Sequence, residues 1–529
     1  MTGNAMRSVA FPSGFAAQLS IALLGGALGV LAFAPFYFWP LGLVSLLALF
    51  ALWQRARSVG RAFSVGFVWG LGLFAAGVSW IYVSLHVYGH MPAILAGLAT
   101  FLFCCYLALY PALAGALYRT LTVRLALSPE TALLVPMPAC FVMFEYLRGW
   151  VVSGFPWLTM GYTQTPGGIV AAPLAGYAAI IGVFGISWLL AITAAIVLAV
   201  MRGAPGVLLS KAARATSTAV LLVVWGAGSL LFGYEWTPIS GKPLRVALLQ
   251  GNVDQNLKWR DDQRVPTLVN YHQLVTSTQA RLIVMPETAL PDFLDRIPAE
   301  FIESLRKHAL SAGADVLLGA PIVERTGGAD SSRHLANSAV SIGTSPTQRY
   351  DKRHLVAFGE FVPPLLSWVY RWLQIPLADF SPPIGDAKPM QIAGHKVAIN
   401  ICYEEAFGAE IAALLPEAEL LVNMSNMAWF GDSLAPGQHA QMSQMRALET
   451  GRWMVRATNT GATAAINEKG VIVKSFAGFT RGMLEVDAQP RSGATPYSRW
   501  RDVPALAILA ICLIATMVLR KPARPAVRE

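Results

Sequence analysis

The sequence predicts two structural parts, an α-helical membrane domain and an α/β domain on the far side of the membrane. Of the 529 residues, 55% are hydrophobic and only 13% are charged, whereas soluble proteins have about 25% charged residues. Long apolar runs fill residues 1–239 and return near the C-terminus, while residues 240–500 alternate β-rich runs with helical patterns. We therefore expect a membrane domain at 1–239, an α/β domain at 240–500, and a last transmembrane helix with its tail at 501–529.

Eight apolar runs account for the predicted transmembrane helices, and seven of them precede the α/β domain. A helix needs about 20 residues to cross the hydrocarbon core of a bilayer, and most of the runs reach that length. The second and fifth runs are shorter and compatible with a partly interfacial position. The runs cover approximately residues 14–34, 38–54, 62–85, 92–118, 131–147, 172–201, 215–234 and 503–519.

The basic residues predict the orientation of the chain. They flank the spans on one side, whereas the alternate short connections hold only Arg148. Because short loops rich in lysine and arginine stay in the cytoplasm, both termini are expected there, and seven spans place the α/β domain on the far side. If the membrane is the inner membrane of a diderm bacterium, that side is the periplasm. The residues that set this orientation are Arg7, Arg55, Arg57, Arg61, Arg119, Arg124, Arg202, Lys211, Arg214, Arg520, Lys521, Arg524 and Arg528.

The α/β domain is predicted from six β-rich runs and three helical patterns. The β-rich runs are Val246–Leu249, Leu282–Met285, Val316–Gly319, Val397–Ile401, Leu420–Asn423 and Met454–Ala457, and the helical patterns are Asp261–Thr278, Ala299–Ala312 and Gln438–Glu449. The eight histidines are scattered without metal-ligand spacing, so we expect no metal and no cofactor. The net charge of +10 follows from membrane topology, and no nucleic acid is expected as a partner.

Cys402 is the strongest candidate for a nucleophile. It ends the mostly apolar run Ala398–Ile401, which predicts a buried strand, and the carboxylates Glu404 and Glu405 follow closely. A residue at a strand end is held by a rigid scaffold yet stays open to a substrate. The other four cysteines lie in apolar runs, so the α/β domain offers no disulfide partner. The alternative is a packed core cysteine, which is common for a free thiol.

Two upstream stretches supply the groups that a thiol nucleophile needs. Glu287 follows the apolar run Leu282–Met285 and a proline, where burial would raise its pKa toward neutrality and suit it as a general base. Lys352 would lower the pKa of the thiol and stabilise the oxyanion of a tetrahedral intermediate, with the Tyr403 backbone N–H as a second donor. A strand-capping carboxylate and a solvated loop charge are the alternatives for Glu287 and Lys352.

A Glu, a Lys and a Cys in this order, each at a strand end or loop, resemble the nitrilase (carbon–nitrogen hydrolase) superfamily. The closer match is its membrane-embedded apolipoprotein N-acyltransferase family. The resemblance covers nearly the whole chain and includes Gln250-Gly251-Asn252, Leu257-Lys258-Trp259, Ser425-Asn426 with Ala428-Trp429-Phe430-Gly431, and Met445-Arg446-Ala447-Leu448-Glu449. It implies that the α/β domain is a four-layer α-β-β-α sandwich.

The same resemblance assigns roles to individual residues. It implies a catalytic triad of Glu287, Lys352 and Cys402. It also implies that Glu360, Tyr403 and Glu404 support the site, and that Trp259 helps to bind lipid. The sequence departs from the family pattern at Met427, where an acidic residue is usual, and at Ala357, where proline is usual. Met427 puts in doubt one hydrogen bond in the loop under the site.

Residues 363–380 are unusually apolar for a stretch expected to face water. They include Trp368 and Trp372, which favours a lid that dips into the outer leaflet with both indoles at headgroup depth. A buried core helix is the alternative. We therefore regard Trp368 and Trp372 as candidate lipid-binding residues.

Residues 145–162 form a second stretch of interest, because they join the fifth and sixth spans on the same side as the α/β domain. Irregular backbone at that depth must be buried or line a cavity. Arg148 is spaced to pair with Glu145, or else to hold a phosphate headgroup. Arg148 and Trp150 are therefore added to the candidate lipid-binding residues.

A thiol nucleophile held beside a membrane by eight spans suits chemistry on lipids. The resemblance implies that Cys402 takes an acyl chain from a membrane phospholipid as a thioester and passes it to the α-amine of diacylglyceryl-cysteine on an apolipoprotein. The expected partners are thus the phospholipid donor, the diacylated apolipoprotein and membrane lipids. A membrane-anchored amidase or nitrilase, with water as acceptor, is the alternative. A transporter would need ionisable residues inside several spans, and the sequence has almost none.

Overall fold

The computed structural model describes residues 14–201, 205–325, 333–362, 380–383 and 385–519. Within these ranges, helices make up the first part of the chain and its last part, and the strands lie between them. The helices of the first part are α1 (Phe15–Gly29), α2 (Pro40–Arg55), α3 (Val59–Gly77), α4 (Trp80–Val83), α5 (Ala93–Arg124), α6 (Pro129–Leu134), α7 (Pro136–Arg148), α8 (Ala178–Val200) and α9 (Lys211–Gly233).

Each of the predicted apolar runs contains a helix, and six of the described helices are long and apolar enough to cross a membrane. The second run forms α2, which at 16 residues is as short as predicted. The prediction that the fifth run is short is wrong, because α6 and α7 together form a 20-residue apolar segment. The second short membrane helix, besides α2, is the last one, Val503–Val518, which has 16 residues.

Small residues let the membrane helices pack closely. A side chain added at Gly26 on α1 would overlap the Trp69 carbonyl on α3, and one added at Gly72 on α3 would overlap the Leu23 carbonyl on α1. Helices inside a bilayer gain little hydrophobic free energy by association, so close backbone contact between small residues is what stabilises them. The α1–α3 pair therefore depends on glycines at these positions.

The α/β domain contains two six-stranded sheets, ordered β12-β1-β2-β3-β4-β5 and β11-β10-β9-β8-β7-β6. The strands β1–β3 and β7–β9 pair in parallel, and the outer pairs are antiparallel. The strands are β1 (Leu244–Gln250), β2 (Leu282–Val284), β3 (Asp315–Arg325), β4 (Arg333–Gly343), β5 (Arg349–Asp351), β6 (Met390–Ile392), β7 (His395–Ile401), β8 (Leu420–Ser425), β9 (Met454–Thr458), β10 (Ala464–Ile466), β11 (Ile472–Ser475) and β12 (Gly482–Ala488).

Alternate residues of the central strands enter different cores, which sets the layer order. Val246 and Leu248 of β1 pack between the sheets against Ile399 of β7, whereas Leu249 faces a separate core with Leu305. The second sheet has its own outer core. The helices over the outer faces are α10 (Asp261–Thr276), α11 (Ala299–Ser311), α12 (Gly408–Ala412) and α13 (Ala435–Thr450), and α14 (Pro496–Trp500) with α15 (Val503–Val518) end the described chain. The predicted α-β-β-α order is confirmed.

The six predicted β-rich runs all fall on the central strands, and the three helical patterns fall on α10, α11 and α13. The strands that the sequence did not reveal are the outer, antiparallel ones. In β4, for example, Asn337, Ser338 and Ser341 interrupt the apolar pattern. Because parallel strands end at the same edge, the sheets bring the residues after β2, β7 and β8 to one rim.

We predict that Gly26→Ala lowers the thermal stability of the purified protein, since the new methyl group would meet the Trp69 carbonyl of a neighbouring helix. Overpacking of this kind costs typically 1–3 kcal/mol. Thermal unfolding in detergent, followed by tryptophan fluorescence, measures the change. The matched control is Gly97→Ala on α5, because a methyl group there meets no atom within 4 Å. Equal midpoints for the two variants would contradict the packing argument.

Candidate active site

Cys402 lies directly after β7, at the first position of a 3₁₀ turn that spans Cys402–Ala406. Its φ of 54° places it in the left-handed region, which a non-glycine residue adopts only at a cost of roughly 1–3 kcal/mol. The sharp change of direction takes the thiol out of the sheet at the rim. The side chain is half-buried and packs at the edge of the core between the sheets.

Glu287 follows β2 and is buried beside the thiol. Its Oε1 accepts from the Asn337 amide at 2.8 Å and from Lys352 Nζ at 3.3 Å, and its Oε2 accepts from the Asn426 backbone N–H at 2.9 Å. Cys402 is also a hydrogen-bonding neighbour of this carboxylate. These contacts aim Glu287 at the nucleophile, so it is more than a strand-capping carboxylate.

Lys352 follows β5 and is only 2% exposed, which contradicts the alternative of a solvated loop charge. Its Nζ donates to Glu360 Oε1 at 2.9 Å as well as to Glu287. The other oxygen of Glu360 accepts from the Val356 backbone N–H at 2.9 Å. Glu360 therefore positions Lys352 and closes the loop that carries it.

The charges around the thiol set the protonation states. Burial raises the pKa of Glu287, but the Lys352 charge and the Asn337 hydrogen bond outweigh burial and hold this pKa below its ordinary value. Our expectation of a raised pKa was wrong. Lys352 lowers the pKa of Cys402, as expected, but burial and the Glu287 charge outweigh it and raise that pKa well above its usual range. The resting pair is therefore a neutral thiol beside an ionised carboxylate.

The Glu404 carboxylate links the turn of Cys402 to the loop of Lys352. It accepts from the Ile401 backbone N–H at 2.6 Å on the nucleophile side, and from the Arg353 and His354 backbone N–H groups at 2.6 and 3.2 Å on the lysine side. The Tyr350 hydroxyl also donates to it, at 2.9 Å. Burial raises the pKa of Glu404 against the opposing effect of these backbone donors. Glu404 thus supports the site by positioning.

Tyr403 joins the site to the membrane domain. Its hydroxyl donates to the Gly154 carbonyl at 2.7 Å, and its ring stacks on Trp157 with a centroid separation of 6.3 Å. Both partners belong to the loop after α7, which the sequence placed beside the α/β domain. The residue next to the nucleophile is therefore held by the membrane domain.

Arg148 does not reach outward from this loop. It is buried, and its guanidinium donates to the Phe155 and Trp157 carbonyls at 2.5 Å and to Thr159 Oγ1 at 3.3 Å. Glu145 accepts from the Met160 backbone N–H at 2.8 Å, and its charge also interacts with that of Arg148. Arg148 is enclosed by its own loop, which contradicts the expectation that it holds a phosphate headgroup. Its role is to fix the fold of the loop.

The tryptophans predicted to bind lipid differ in their positions. Trp150 is 43% exposed at the end of α7 and lies against Phe407, with ring centroids 6.3 Å apart. Trp259 is 52% exposed on the α/β domain. Trp368 and Trp372 lie outside the described residues. Exposed indoles of this kind suit a membrane interface, so lipid binding by Trp150 and Trp259 stays a prediction.

Sequence reasoning missed three residues that contact the site. Asn337 lies within β4, where no local signal distinguishes it. Asn426 and Lys258 could be seen in the sequence only as parts of motifs. In the structure, the Asn426 amide also donates to Gln255 at 2.8 Å, and Lys258 Nζ donates to Thr288 Oγ1 at 2.6 Å. Burial lowers the pKa of Lys258 to about 8, against the raising effect of Glu287. Met427, which cannot replace an acidic partner, is buried.

Comparisons with known proteins cover both parts of the chain. A model of the apolipoprotein N-acyltransferase N-terminal domain matches residues 25–196, and a carbon–nitrogen hydrolase model matches residues 245–497. An apolipoprotein N-acyltransferase from Nitrosomonas europaea is 44% identical over 94% of this chain and 96% of its own. One from Chromobacterium violaceum is 41% identical over 95% and 93%. The chain belongs to the apolipoprotein N-acyltransferase family.

Two solved structures are similar to about half of this member of the N-acyltransferase family. An amidase of the nitrilase superfamily from Nesterenkonia is 17% identical, with a TM-score of 0.36, over 50% of this chain and 97% of the amidase. The NitFhit protein of C. elegans is 16% identical, with a TM-score of 0.36, over 54% of this chain and 66% of its own.

We predict that Asn337→Ala moves the acidic limb of the pH–rate profile for Cys402 acylation to higher pH. Glu287 accepts a proton only when ionised, and this form is lost as the pH falls through its pKa. Removing the Asn337 donor should raise that pKa, because the hydrogen bond favours the ionised carboxylate. Asn337→Asp should shift the limb further, because it adds a like charge. An unmoved limb in both variants would contradict the assignment of Glu287 as the base.

Proposed function

We propose that this chain is a membrane N-acyltransferase that moves an acyl chain from a phospholipid, through a thioester on Cys402, to the α-amine of diacylglyceryl-cysteine on an apolipoprotein. The observation that carries the proposal is the meeting of Glu287 and Lys352 with Cys402, which begins a turn bonded to the membrane domain. A nucleophile held beside a membrane domain suits substrates that are lipids. The names of the full-length relatives support the same reaction.

In the first half-reaction Glu287 takes the proton of the Cys402 thiol as the sulfur attacks the ester carbonyl of the phospholipid. The oxyanion that forms is stabilised by the Lys352 ammonium and by the Tyr403 backbone N–H. The C–O ester bond then breaks, and the proton on Glu287 passes to the leaving alkoxide oxygen, which becomes the hydroxyl of the lysophospholipid. The products are a lysophospholipid and a thioester on Cys402.

In the second half-reaction the α-amine of the diacylated apolipoprotein attacks the thioester carbonyl. Glu287 takes a proton from the amine, Lys352 again stabilises the oxyanion, and the C–S bond breaks. The proton returns to the sulfur, which restores the thiol. The step is downhill because an amide is better stabilised by resonance than a thioester.

We also propose that the catalytic site faces the periplasm, with residues 1–239, 240–500 and 501–529 as membrane domain, catalytic domain and final span. The end of α3 supports this orientation, because the Gly77 carbonyl accepts from Gln438 of the α/β domain at 3.0 Å. Arg61 lies 16 residues earlier on the same helix, which is roughly 24 Å away. Arg61 thus lies at the end of α3 opposite the site.

A membrane-anchored amidase would use the same three side chains with water as the acceptor. The carbon–nitrogen hydrolase match supports that activity only at the level of the superfamily. The bond from Tyr403 to a membrane loop favours lipid substrates over small soluble amides. The nature of the acceptor therefore separates the two candidate functions.

We predict that the purified protein, given phospholipid without acceptor, gains the mass of one acyl chain on Cys402. Intact-protein mass spectrometry followed by peptide mapping detects it. Cys402→Ser should gain none or acylate far more slowly, because an alcohol is a weaker nucleophile than a thiol near neutral pH. Glu287→Gln should block acylation, since an amide cannot take the proton.

Adding a diacylglyceryl-cysteine peptide should then discharge the thioester and leave the chain on the α-amine as an amide. Discharge by water at the same rate with and without peptide would favour the amidase. Transfer to the peptide by Cys402→Ala protein at an undiminished rate would remove Cys402 from the mechanism. Cys512→Ala on α15 is the matched control, because this cysteine lies on a membrane helix remote from Glu287.

We predict that a reporter that is active only outside the cytoplasm works when fused after residue 240 and fails when fused after residue 529. The basic residues at the opposite helix ends give the physical reason. A cytoplasm-only reporter fused at the same two positions is the control and should show the reverse pattern. Activity of that second reporter at residue 240 would overturn the proposed orientation.

A further inference from the structure

The segments that carry Cys402 and Lys352 bond to adjacent carbonyls of one membrane-domain loop. We call this loop, residues 149–157, the tether loop. The Tyr403 hydroxyl donates to the Gly154 carbonyl at 2.7 Å, and His354 Nε2 lies 2.7 Å from the Ser153 carbonyl oxygen. Tyr403 is next to the nucleophile in sequence, and His354 is two residues after Lys352. A displacement of the tether loop would therefore reach both catalytic side chains.

His354 has acceptors on both sides of its ring. While Nε2 faces the Ser153 carbonyl, Nδ1 lies 2.9 Å from Glu410 Oε1. A neutral imidazole carries a single N–H, so both hydrogen bonds form only when the ring is an imidazolium. The ring also stacks on Phe407, with centroids 3.4 Å apart. This geometry identifies a charged bridge between the lysine loop, α12 and the membrane domain.

The tether loop itself has one apolar side. Trp150, Val151 and Val152 are 43%, 45% and 51% exposed at the end of α7. Apolar side chains at the end of a membrane helix suit the lipid interface. Val152 and Ser153 have φ values of 57° and 76°, so the backbone is strained there. This strained part connects the apolar side of the loop to the carbonyls that accept hydrogen bonds from His354 and Tyr403.

We propose that His354, as an imidazolium, is a positioning residue that fixes the Lys352 loop to the tether loop. The orientation of the oxyanion-stabilising lysine then depends on the lipid-facing loop. The proposal rests on the proposed function, because its effect is on acylation of Cys402. A misplacement of about 1 Å can cost roughly 100-fold in rate, so the bridge matters although His354 touches no substrate.

Charged and polar groups surround His354. Glu410 faces it from α12, and the turn after Cys402 presents Tyr403, at a ring distance of 5.8 Å, and the Glu404 carboxylate, which accepts the His354 backbone N–H. Its own segment carries Lys352 and Arg353. The tether loop contributes carbonyl oxygens in the part that the structure describes.

The first test compares His354→Ala with His395→Ala in the full-length protein. His395 is the matched control, because its Nδ1 also lies 3.0 Å from a carboxylate, that of Glu419, but on the first residue of β7. His354→Ala should slow Cys402 acylation about 10- to 100-fold and speed hydrogen exchange in residues 149–157. His395→Ala should change neither.

A wild-type acylation rate in His354→Ala would overturn the positioning role and leave the proposed function intact. If the wild-type protein forms no acyl-enzyme, the proposed function fails. Hydrogen exchange then tests the His354 bridge independently of catalysis. Unchanged protection of residues 149–157 in His354→Ala would overturn the bridge.

The second test addresses the acceptor at Nδ1 with Glu410→Gln, which keeps an acceptor oxygen but removes the carboxylate. Hydrogen exchange in residues 149–157 should speed up, because the ring loses the charged acceptor that it faces opposite Ser153. Unchanged protection of these residues would overturn the imidazolium assignment, since a neutral ring bonded only to Ser153 does not depend on the Glu410 charge.

Discussion

The hydrogen bonds to the Glu404 carboxylate are the interaction on which the rest of the active site depends. Cys402 leaves the second sheet and Lys352 leaves the first, so no backbone pairing fixes their separation. Glu404 accepts backbone N–H groups from both segments, those of Ile401 and Arg353. Loss of the carboxylate would leave several buried donors without a partner, at a cost of about 1–3 kcal/mol each. Glu404 therefore links the backbone of the Cys402 segment directly to that of the Lys352 segment.

The membrane domain contributes to the site as well as anchoring it. The loop after α7 is folded by Arg148, whose guanidinium bonds the Phe155 and Trp157 carbonyls. Its ordered backbone then offers the Gly154 carbonyl to Tyr403, beside the nucleophile. A buried arginine in the membrane domain thus acts on catalytic geometry through a chain of backbone contacts.

The positions of the central residues could be predicted from the sequence, because local apolar runs mark the strand ends that carry Cys402 and Glu287. The role of Asn337 could not, since it lies inside β4 and acts only through tertiary pairing with Glu287. The predicted rise of the Glu287 pKa was wrong for the same reason. Burial is visible in a sequence, whereas the partners that oppose it are supplied by other strands. Arg148 likewise bonds to carbonyls that reach it only when its own loop folds back.

The charge balance of the site has a consequence for the acylated enzyme. In the mechanism proposed above, acylation replaces a neutral thiol by a neutral thioester, and the proton of the thiol leaves with the alcohol. The ion pairs of Lys352 with Glu287 and Glu360 therefore have the same net charge in the free and the acylated enzyme. Loading the site with an acyl chain adds no buried charge that would need a new partner.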